Sequence, residues 1–178
     1  VPGANGITVG RINSIACDPK GVMWFSDQDN RCITRYDGTR MTRFSHDPQN
    51  PNSLGGRYPE FIMADSAGIV WIGFMGMGFD RFDPVTNSFT HFRHRADDPG
   101  SLINDSVTML LVDHLGNFWV ATHGGLDLLD RTTGRFKHFL SQASDSTTLS
   151  DPIVRDLYED HEGTLWVGTG FPWIEPAD

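Results

Sequence analysis

The sequence lacks long apolar runs, basic character and any sustained helical periodicity. No apolar stretch in its 178 residues is long enough to span a membrane, so we expect no membrane contact by this segment. Lysine and arginine number 14 against 23 aspartates and glutamates, which gives a formal charge of −9. This balance excludes a surface built to bind nucleic-acid phosphates. The missing helical period excludes an α-solenoid.

What the sequence does contain is one phrase repeated four times. Its tryptophans stand 47, 48 and 47 residues apart, at Trp24, Trp71, Trp119 and Trp166. An aspartate opens an Asp-x-x-Gly turn six residues before each tryptophan, at Asp18, Asp65, Asp113 and Asp160. An aliphatic residue lies seventeen residues before each tryptophan, at Ile7, Leu54, Leu102 and Leu149. A register held over four copies indicates one structural unit repeated along the chain.

Each repeat contains four short stretches that are typical of β-strands. In the third repeat they are Val107–Val112, Trp119–Ala121, Leu126–Asp130 and Phe136–Phe139. The Asp-x-x-Gly turn joins the first two, because aspartate bonds its downstream backbone and glycine adopts positive φ. Four short antiparallel strands in a repeat of about 40–50 residues are the signature of a β-propeller blade. The sequence therefore predicts an all-β protein with a β-propeller fold.

Burial explains why such a unit is repeated. A four-stranded sheet has two apolar faces, and stacking neighbouring blades buries both of them. We expect the repeated tryptophans and the paired aromatics of the fourth strands, such as Phe89 with Phe92, to form the core between blades. The turn aspartates of the second, third and fourth repeats are expected to hold the first hairpin of each blade through bonds to turn amides.

The repeats do not add up to an ordinary ring. Predicted blades cover 6–45, 53–93, 101–140 and 148–174, the last incomplete, which makes about three and a half four-stranded blades. Propellers usually close with about four to eight. We therefore interpret residues 1–178 as a single partial propeller, a fragment of a ring of about seven blades whose remaining blades are its partners. Closure by self-association or a tight four-bladed ring is the alternative.

The two cysteines are expected to be free. Cys17 ends a predicted first strand and Cys32 begins a predicted third strand of the same blade. These positions lie at opposite ends of the sheet, which is too far for a disulfide. We expect both side chains to be small buried thiols.

The third repeat carries the most specific motif. It reads Asn104-Asp-Ser-Val-Thr-Met-Leu-Leu-Val-Asp-His-Leu-Gly-Asn-Phe-Trp-Val-Ala-Thr-His-Gly-Gly-Leu-Asp-Leu-Leu-Asp130. This string resembles the two-component regulator propeller repeat, whose leader pair recurs as Ser53-Leu54, Ser101-Leu102 and Thr148-Leu149. The first repeat departs from the pattern and is similar instead to the blades of streptogramin lyases, through the stretch Cys17–Ser26.

The resemblance implies a binding module and not an enzyme. Repeats of this family form the extracytoplasmic sensor region of hybrid two-component systems. The resemblance therefore implies a periplasmic or extracellular location, signal transduction, and recognition of an oligosaccharide or another small polar ligand. No cofactor and no metal are expected, and any kinase activity would lie outside this chain.

Loops at one end of the blades form the candidate ligand surface. The loops between second and third strands and those between consecutive blades emerge on the same face, around the central channel. Binding residues concentrate on loops held by a rigid scaffold, where aromatic rings stack on sugars and polar groups bond hydroxyls. The candidate ligand residues are Gln28, Arg57, Tyr58, Asn104, Asp105, His123 and Trp173.

Two alternatives from other classes stay open. A propeller lyase would need a histidine and a glutamate above the channel, for which His123 and Glu60 are the candidates, although no further catalytic motif accompanies them. A pure interaction propeller, or a homodimer, would use the fourth strands, which we expect to be solvated. Their polar side chains are Arg43, His91, Lys137 and His138.

Overall fold

The protein is built from β-strands placed as the repeat predicts. The computed structural model describes residues 9–170, and these contain strands and turns but no helix. Accordingly, no helix long and apolar enough to cross a membrane occurs in this part of the chain. The all-β prediction is confirmed.

Each repeat forms one antiparallel sheet, called here a blade, with its strands in sequence order. Blade 1 contains β1 (Ile12–Cys17), β2 (Met23–Asp27), β3 (Cys32–Tyr36) and β4 (Met41–Ser45). Blade 2 contains β5 (Pro59–Ala64), β6 (Val70–Phe74), β7 (Phe79–Asp83) and β8 (Ser88–Phe92). Blade 3 contains β9 (Val107–Val112), β10 (Phe118–Thr122), β11 (Gly125–Asp130) and β12 (Arg135–Phe139). Blade 4 contains β13 (Val154–Glu159) and β14 (Leu165–Thr169) within the described residues.

The chain divides into two compact units, Val1–Arg93 and His94–Asp178. Blades 1 and 2 lie in the first unit, and blades 3 and 4 lie in the second. The interpretation of the whole chain as a single partial propeller stays a prediction. The unit boundary falls at the start of the loop that leads into blade 3.

In the first unit, blades 1 and 2 pack face to face through aromatic side chains. Trp24 meets Phe82 edge to face, with ring centroids 5.7 Å apart, and Phe44 lies 4.8 Å from the same Phe82 ring. Their first strands also touch, because the Ser14 hydroxyl accepts a hydrogen bond from the Ile62 amide at 3.1 Å. The predicted core of tryptophans and fourth-strand aromatics is thus confirmed for this pair of blades.

In the second unit, blades 3 and 4 repeat this arrangement with smaller side chains. Ala121 and Leu126 of blade 3 pack against Val154 and Leu157 of blade 4. The fourth tryptophan does not follow the pattern, since Trp166 is 60% exposed. Its sheet has only two strands in the described residues, so the expectation that every repeated tryptophan is buried is wrong for blade 4.

Every Asp-x-x-Gly turn is closed by its aspartate in the same way. In blade 2, one carboxylate oxygen of Asp65 accepts the amides of Ala67 and Ile69, both at 3.0 Å. Its second oxygen accepts the indole N–H of Trp71 at 3.1 Å. We call this arrangement the Asp–Trp clasp. The bonds to turn amides confirm the predicted role of the turn aspartates, and the indole bond is an addition that the sequence did not suggest.

The clasp recurs in all four blades with a graded indole bond. The distance from the carboxylate oxygen to the indole nitrogen is 3.5 Å for Asp18 and Trp24, 2.8 Å for Asp113 and Trp119, and 2.7 Å for Asp160 and Trp166. The Trp166 indole and the Thr164 amide hold the pKa of Asp160 below its usual value. The Asp160 carboxylate is therefore ionised at neutral pH, which strengthens each bond that it accepts.

The cysteines are free and lie at opposite ends of blade 1, as predicted. Cys17 pairs with Met23 beside the Asp18 turn, whereas Cys32 pairs with Asp27 at the other end of the sheet. The expectation that both are buried is wrong for Cys17, which is exposed, whereas Cys32 is buried. Burial raises the pKa of the Cys32 thiol.

This difference predicts two rates of thiol modification. In the native protein at pH 8, Cys17 should react readily with a thiol reagent and Cys32 at least about a hundredfold more slowly, because burial denies Cys32 both access and thiolate character. After unfolding without reductant, both should react. The Cys17→Ser and Cys32→Ser variants assign the two phases, and an intrachain bridged peptide in mass spectrometry would contradict the free-thiol assignment.

Candidate functional site

The candidate ligand residues within 9–170 lie at one end of blades 1, 2 and 3. At this end the β2–β3, β6–β7 and β10–β11 loops stand beside the chain that leads into the first strand of the blade. The Gln28 amide donates to the Arg11 carbonyl, and the His123 amide donates to the Ser106 carbonyl, both at 3.0 Å. We call this the leader end. The preceding segments 46–58 and 94–106 are the leader loops of blades 2 and 3.

Two of the candidates, Arg57 and Tyr58, are exposed at the leader end of blade 2. Tyr58 is 49% exposed, and the Arg31 guanidinium carbon lies 5.4 Å from the centroid of its ring. This cation–π contact comes from the β2–β3 loop of blade 1, where Arg31 has a φ of 55°. One aromatic ring and two arginines therefore occupy the surface shared by these two blades.

Gln28 is buried and bonded to blade 2, and its side chain is not on the open surface. Its side chain is only 7% exposed, and Nε2 donates to the Pro59 carbonyl at 2.7 Å. The same nitrogen lies 3.4 Å from one carboxylate oxygen of Glu60, whose other oxygen accepts from Asn13 Nδ2 at 3.1 Å. Gln28 thus joins blade 1 to β5, which corrects the picture of a side chain that offers its amide to a ligand.

In the second unit the structure brings Asn104, Asp105 and His123 to the leader end of blade 3. Asn104 Oδ1 accepts the Ser106 amide at 2.8 Å, and Asp105 Oδ1 accepts the His94 amide at 2.7 Å. Asn104 lies directly over the residue after His123, since a Cβ added at Gly124 would stand 3.0 Å from the Asn104 Cβ. Glycine at 124 therefore permits this close approach.

Two further observations concern Trp173, which was predicted, and Met75, which was not. Trp173 lies outside the described residues. Met75, which no sequence argument singled out, occupies in blade 2 the loop position of Gln28 and His123 and is 75% exposed. Its neighbour Met77 is 43% exposed. An apolar residue at an otherwise polar loop position was the signal that could have identified Met75.

The leader loops of blades 2 and 3 are bonded to the fourth strands of their blades. The leader loop of blade 3 runs along β12, where the Phe136 amide donates to the Gly100 carbonyl at 2.9 Å. In blade 2, the Phe89 amide donates to Asn52 Oδ1 at 2.7 Å. The ring nitrogens of His91 and His138 are bonded inside their own blades. Arg43, His91 and Lys137 are exposed and His138 is half-buried, so the fourth strands are largely solvated as expected, and their use in lateral contacts stays a prediction.

Within residues 9–170, the structure adds no further catalytic or metal-binding group to the lyase alternative. Glu60 is held by Asn13 and Gln28, as described above. Among residues 9–170, no group of three or more histidine, cysteine or acidic side chains is arranged to hold a metal ion. His123 is half-buried beside Asn104.

Comparison with known families supports the repeat motif. Residues 101–124 and 148–171 match the family model described as Two component regulator propeller. These segments run from the leader pair through the tryptophan strand of blades 3 and 4, so the resemblance is confirmed there. Among curated proteins, none matches the sequence.

Solved structures with the same fold are larger than this chain. The extracellular domain of BT3049 from B. thetaiotaomicron, assigned to a hybrid two component system, is 25% identical with a TM-score of 0.78, over 91% of this chain and 22% of that chain. The extracellular domain of BT4673 from the same organism is 21% identical with a TM-score of 0.50, over 89% and 27%. Virginiamycin B lyase from Staphylococcus aureus is 16% identical with a TM-score of 0.62, over 92% and 53%.

These likenesses confirm the fold class. The chain spans between about a fifth and about half the length of the three proteins. At 16% and 21% identity, the likenesses to the lyase and to BT4673 concern the fold alone. The 25% identity to BT3049, together with the two matched repeats, relates the chain to the extracellular regions of two-component sensors.

Proposed function

We propose that this chain is part of a ligand-sensing propeller of a two-component system. It binds a small polar ligand, for which we propose an oligosaccharide. The observation that carries this proposal is the pair of matched repeats in blades 3 and 4, together with the likeness to an extracellular sensor domain. The proposed location is the periplasm or the cell exterior. In this proposal the chain binds and does not catalyse, and further blades complete the ring.

The chemistry of the leader end supports a sugar-like ligand. Tyr58 offers an aromatic face in contact with Arg31, and aromatic faces stack on the apolar side of pyranose rings. The exposed guanidinium of Arg57 can donate to hydroxyl oxygens. In blade 3, Asn104 and His123 offer further donors and acceptors. Exposed Met75 and Met77 add apolar area on the β6–β7 loop of blade 2.

The test is calorimetric titration of oligosaccharides into the protein and into single variants. The single variants are Arg57→Ala, Tyr58→Ala, Asn104→Ala and His123→Ala. At least one of them should weaken binding about tenfold, because it removes one stacking or charged contact. Arg40→Ala is the matched control, because Arg40 is an exposed arginine at the opposite end of blade 1. Its affinity should equal that of the unmodified protein.

The other outcomes separate the alternatives. Unchanged affinity in all four variants would place the site away from the leader end and contradict the residue assignment. Turnover of a ligand that is lost in His123→Ala would support a propeller lyase and overturn the binding-only proposal. Binding of no oligosaccharide, combined with a concentration-dependent increase in mass by light scattering, would support an interaction propeller or homodimer.

A further inference from the structure

A buried aspartate and a fourth-strand histidine grip the leader loop of blade 2. His91 Nδ1 lies 2.8 Å from Asp80 Oδ1, and His91 Nε2 lies 3.0 Å from the Pro51 carbonyl oxygen. The Gly55 amide donates to the other carboxylate oxygen of Asp80 at 2.6 Å. The Asp80–His91 pair therefore holds the leader loop at both Pro51 and Gly55, on either side of buried Leu54.

The same arrangement recurs in blade 3. His138 Nδ1 lies 2.5 Å from Asp127 Oδ1, and His138 Nε2 lies 2.8 Å from the Pro99 carbonyl oxygen. The Ile103 amide donates to Asp127 Oδ2 at 2.8 Å. Like its counterpart, the Asp127 side chain is fully buried. Recurrence at equivalent positions of two blades indicates that the arrangement belongs to the leader loop and not to one chance contact.

The hydrogen bonds determine the protonation state of His91. A carbonyl oxygen can only accept, so Nε2, which faces Pro51, must carry a proton. Asp80 accepts the Gly55 amide and also the Arg93 guanidinium at 2.9 Å, which favours the ionised carboxylate. Nδ1 must then carry a proton as well, and His91 is an imidazolium. Accordingly, the hydrogen bond with Asp80 raises the pKa of His91.

For His138 the Pro99 carbonyl likewise requires a proton on Nε2. Burial by itself lowers the pKa of this histidine, but the bonds to Asp127 and to the Pro99 carbonyl outweigh it, and the net shift is upward. A buried carboxylate without a charged partner is costly, so the pair is stable only while the proton is held between its members.

The charged groups that surround the Asp80–His91 pair are not the same as those that surround the Asp127–His138 pair. Near His91, Arg93 is bonded to Asp80, and His46 and Asp47 line the recess beside the ring. One cation, one anion and one titratable ring thus surround the Asp80–His91 pair.

Around the second pair, burial raises the pKa of Asp127, and the bonds from His138 and Ile103 and the nearby charge of His94 act in the opposite direction. Beside the Pro99 segment, Asp98 is paired both with Arg135, at 3.2 Å, and with Arg95, so two cations and one anion lie there. Asp80 and Asp127 are therefore the direct partners of the two imidazolium groups, and their bonds dominate the local balance.

We propose that Asp80–His91 and Asp127–His138 are positioning pairs that hold the leader loops, and with them the candidate ligand residues, only while each histidine carries two protons. Arg57 and Tyr58 follow Gly55 closely along the chain, and Asn104 and Asp105 follow Ile103 directly. Loss of the Nδ1 proton leaves a lone pair facing a buried carboxylate. The grip on the loop then opens. Only the ligand measurement below rests on the proposed function.

The direction of the pH dependence follows from the raised pKa values. A histidine whose folded-state pKa is raised stabilises the fold fully below its ordinary value, about 6.5, and this contribution is lost as pH rises through the folded-state pKa. The leader loops should therefore be most tightly held in mildly acidic solution and should loosen toward alkaline pH.

The test uses backbone amides that are themselves part of the two pairs. Hydrogen exchange at Gly55 and Ile103, measured by NMR as protection factors at several pH values, should show protection falling about tenfold as the histidines deprotonate. The Gly10 amide, bonded to Asp27 at 3.2 Å without a histidine, is the internal control and should show no such step. The ring signals of His91 and His138 should titrate above pH 6.5 in the same experiment.

Variants supply the matched comparison. His91→Gln should lower protection at Gly55, and His138→Gln should lower it at Ile103, already at pH 6, because glutamine cannot carry the charge. His161→Gln changes an exposed turn histidine and should leave both amides unchanged. Ring titration at or below pH 6.5, or protection unaffected by both substitutions, would overturn the proposal without any variant needing to bind ligand.

Ligand binding provides the second readout. If an oligosaccharide binds, its affinity should fall with rising pH in parallel with the loss of amide protection, and this fall should be absent in the double variant His91→Gln/His138→Gln. A pH-dependent loop with pH-independent affinity would overturn the link to ligand residues. If no oligosaccharide binds, the proposed function fails, whereas the amide and ring measurements still decide whether the pairs hold the loops.

Discussion

Replacing Asp65 with alanine should lower the free energy of unfolding by about 2–4 kcal/mol. The substitution removes the acceptor of two turn amides and leaves the indole N–H of buried Trp71 without its partner. A buried donor that loses its acceptor costs more than the bond itself contributed. Urea unfolding followed by circular dichroism measures the effect.

A conservative variant separates the two halves of the clasp. Asp65→Asn keeps an oxygen for the Ala67 and Ile69 amides but turns an amide nitrogen toward the Trp71 indole, so it should lose about 1–2 kcal/mol. Asp18→Asn should lose less, since the indole of Trp24 is 3.5 Å from its carboxylate oxygen. If Asp65→Ala were as stable as the unmodified protein, the clasp would have no structural role.

Replacing Gly125 with alanine should also destabilise the protein by about 2–4 kcal/mol. Gly125 begins β11 with a φ of 142°, and an added Cβ would stand 2.7 Å from the carbonyl oxygen of Phe139 on β12. Because that atom belongs to the backbone of the neighbouring strand, relief requires the two strands to move apart. The loss should appear in the same unfolding measurement.

Gly116→Ala is the matched control for this prediction. Gly116 also has a positive φ, 84°, but an added Cβ meets nothing closer than the end of the Arg131 side chain at 4.0 Å. Only the conformational cost applies there, about 1 kcal/mol. Equal losses at the two glycines would show that the contact with Phe139 has no effect on stability.

Sequence reasoning was most successful where the repeat itself carried the information. The Asp-x-x-Gly turns, the strand order and the separation of Cys17 from Cys32 were all predicted from local patterns. Each depends on residues close together in the chain, and each pattern occurred several times. The indole bond of the clasp was missed, although its spacing of six residues was visible, because the spacing alone does not show which way the tryptophan ring points.

The candidate site was predictable only in outline. The leader end follows from strand order, and exposed Arg57 and Tyr58 lie there. Gln28, by contrast, is buried by β5 of the next blade, and His91 is engaged by Asp80 and Pro51. Both outcomes depend on contacts between segments 11 to 40 residues apart, which no local pattern contains.

By itself, the sequence determined that this protein consists of β-propeller blades, because a hydrophobic and turn pattern repeated at a constant interval leaves one way to bury its apolar faces. Only the tertiary structure decided which polar side chains remain available at the leader end. Two buried aspartates could not enter the blades without partners, and the leader loops and fourth-strand histidines supplied them. The hydrogen bonding of those buried carboxylates is a property of the folded blade, which no local pattern in the sequence contains.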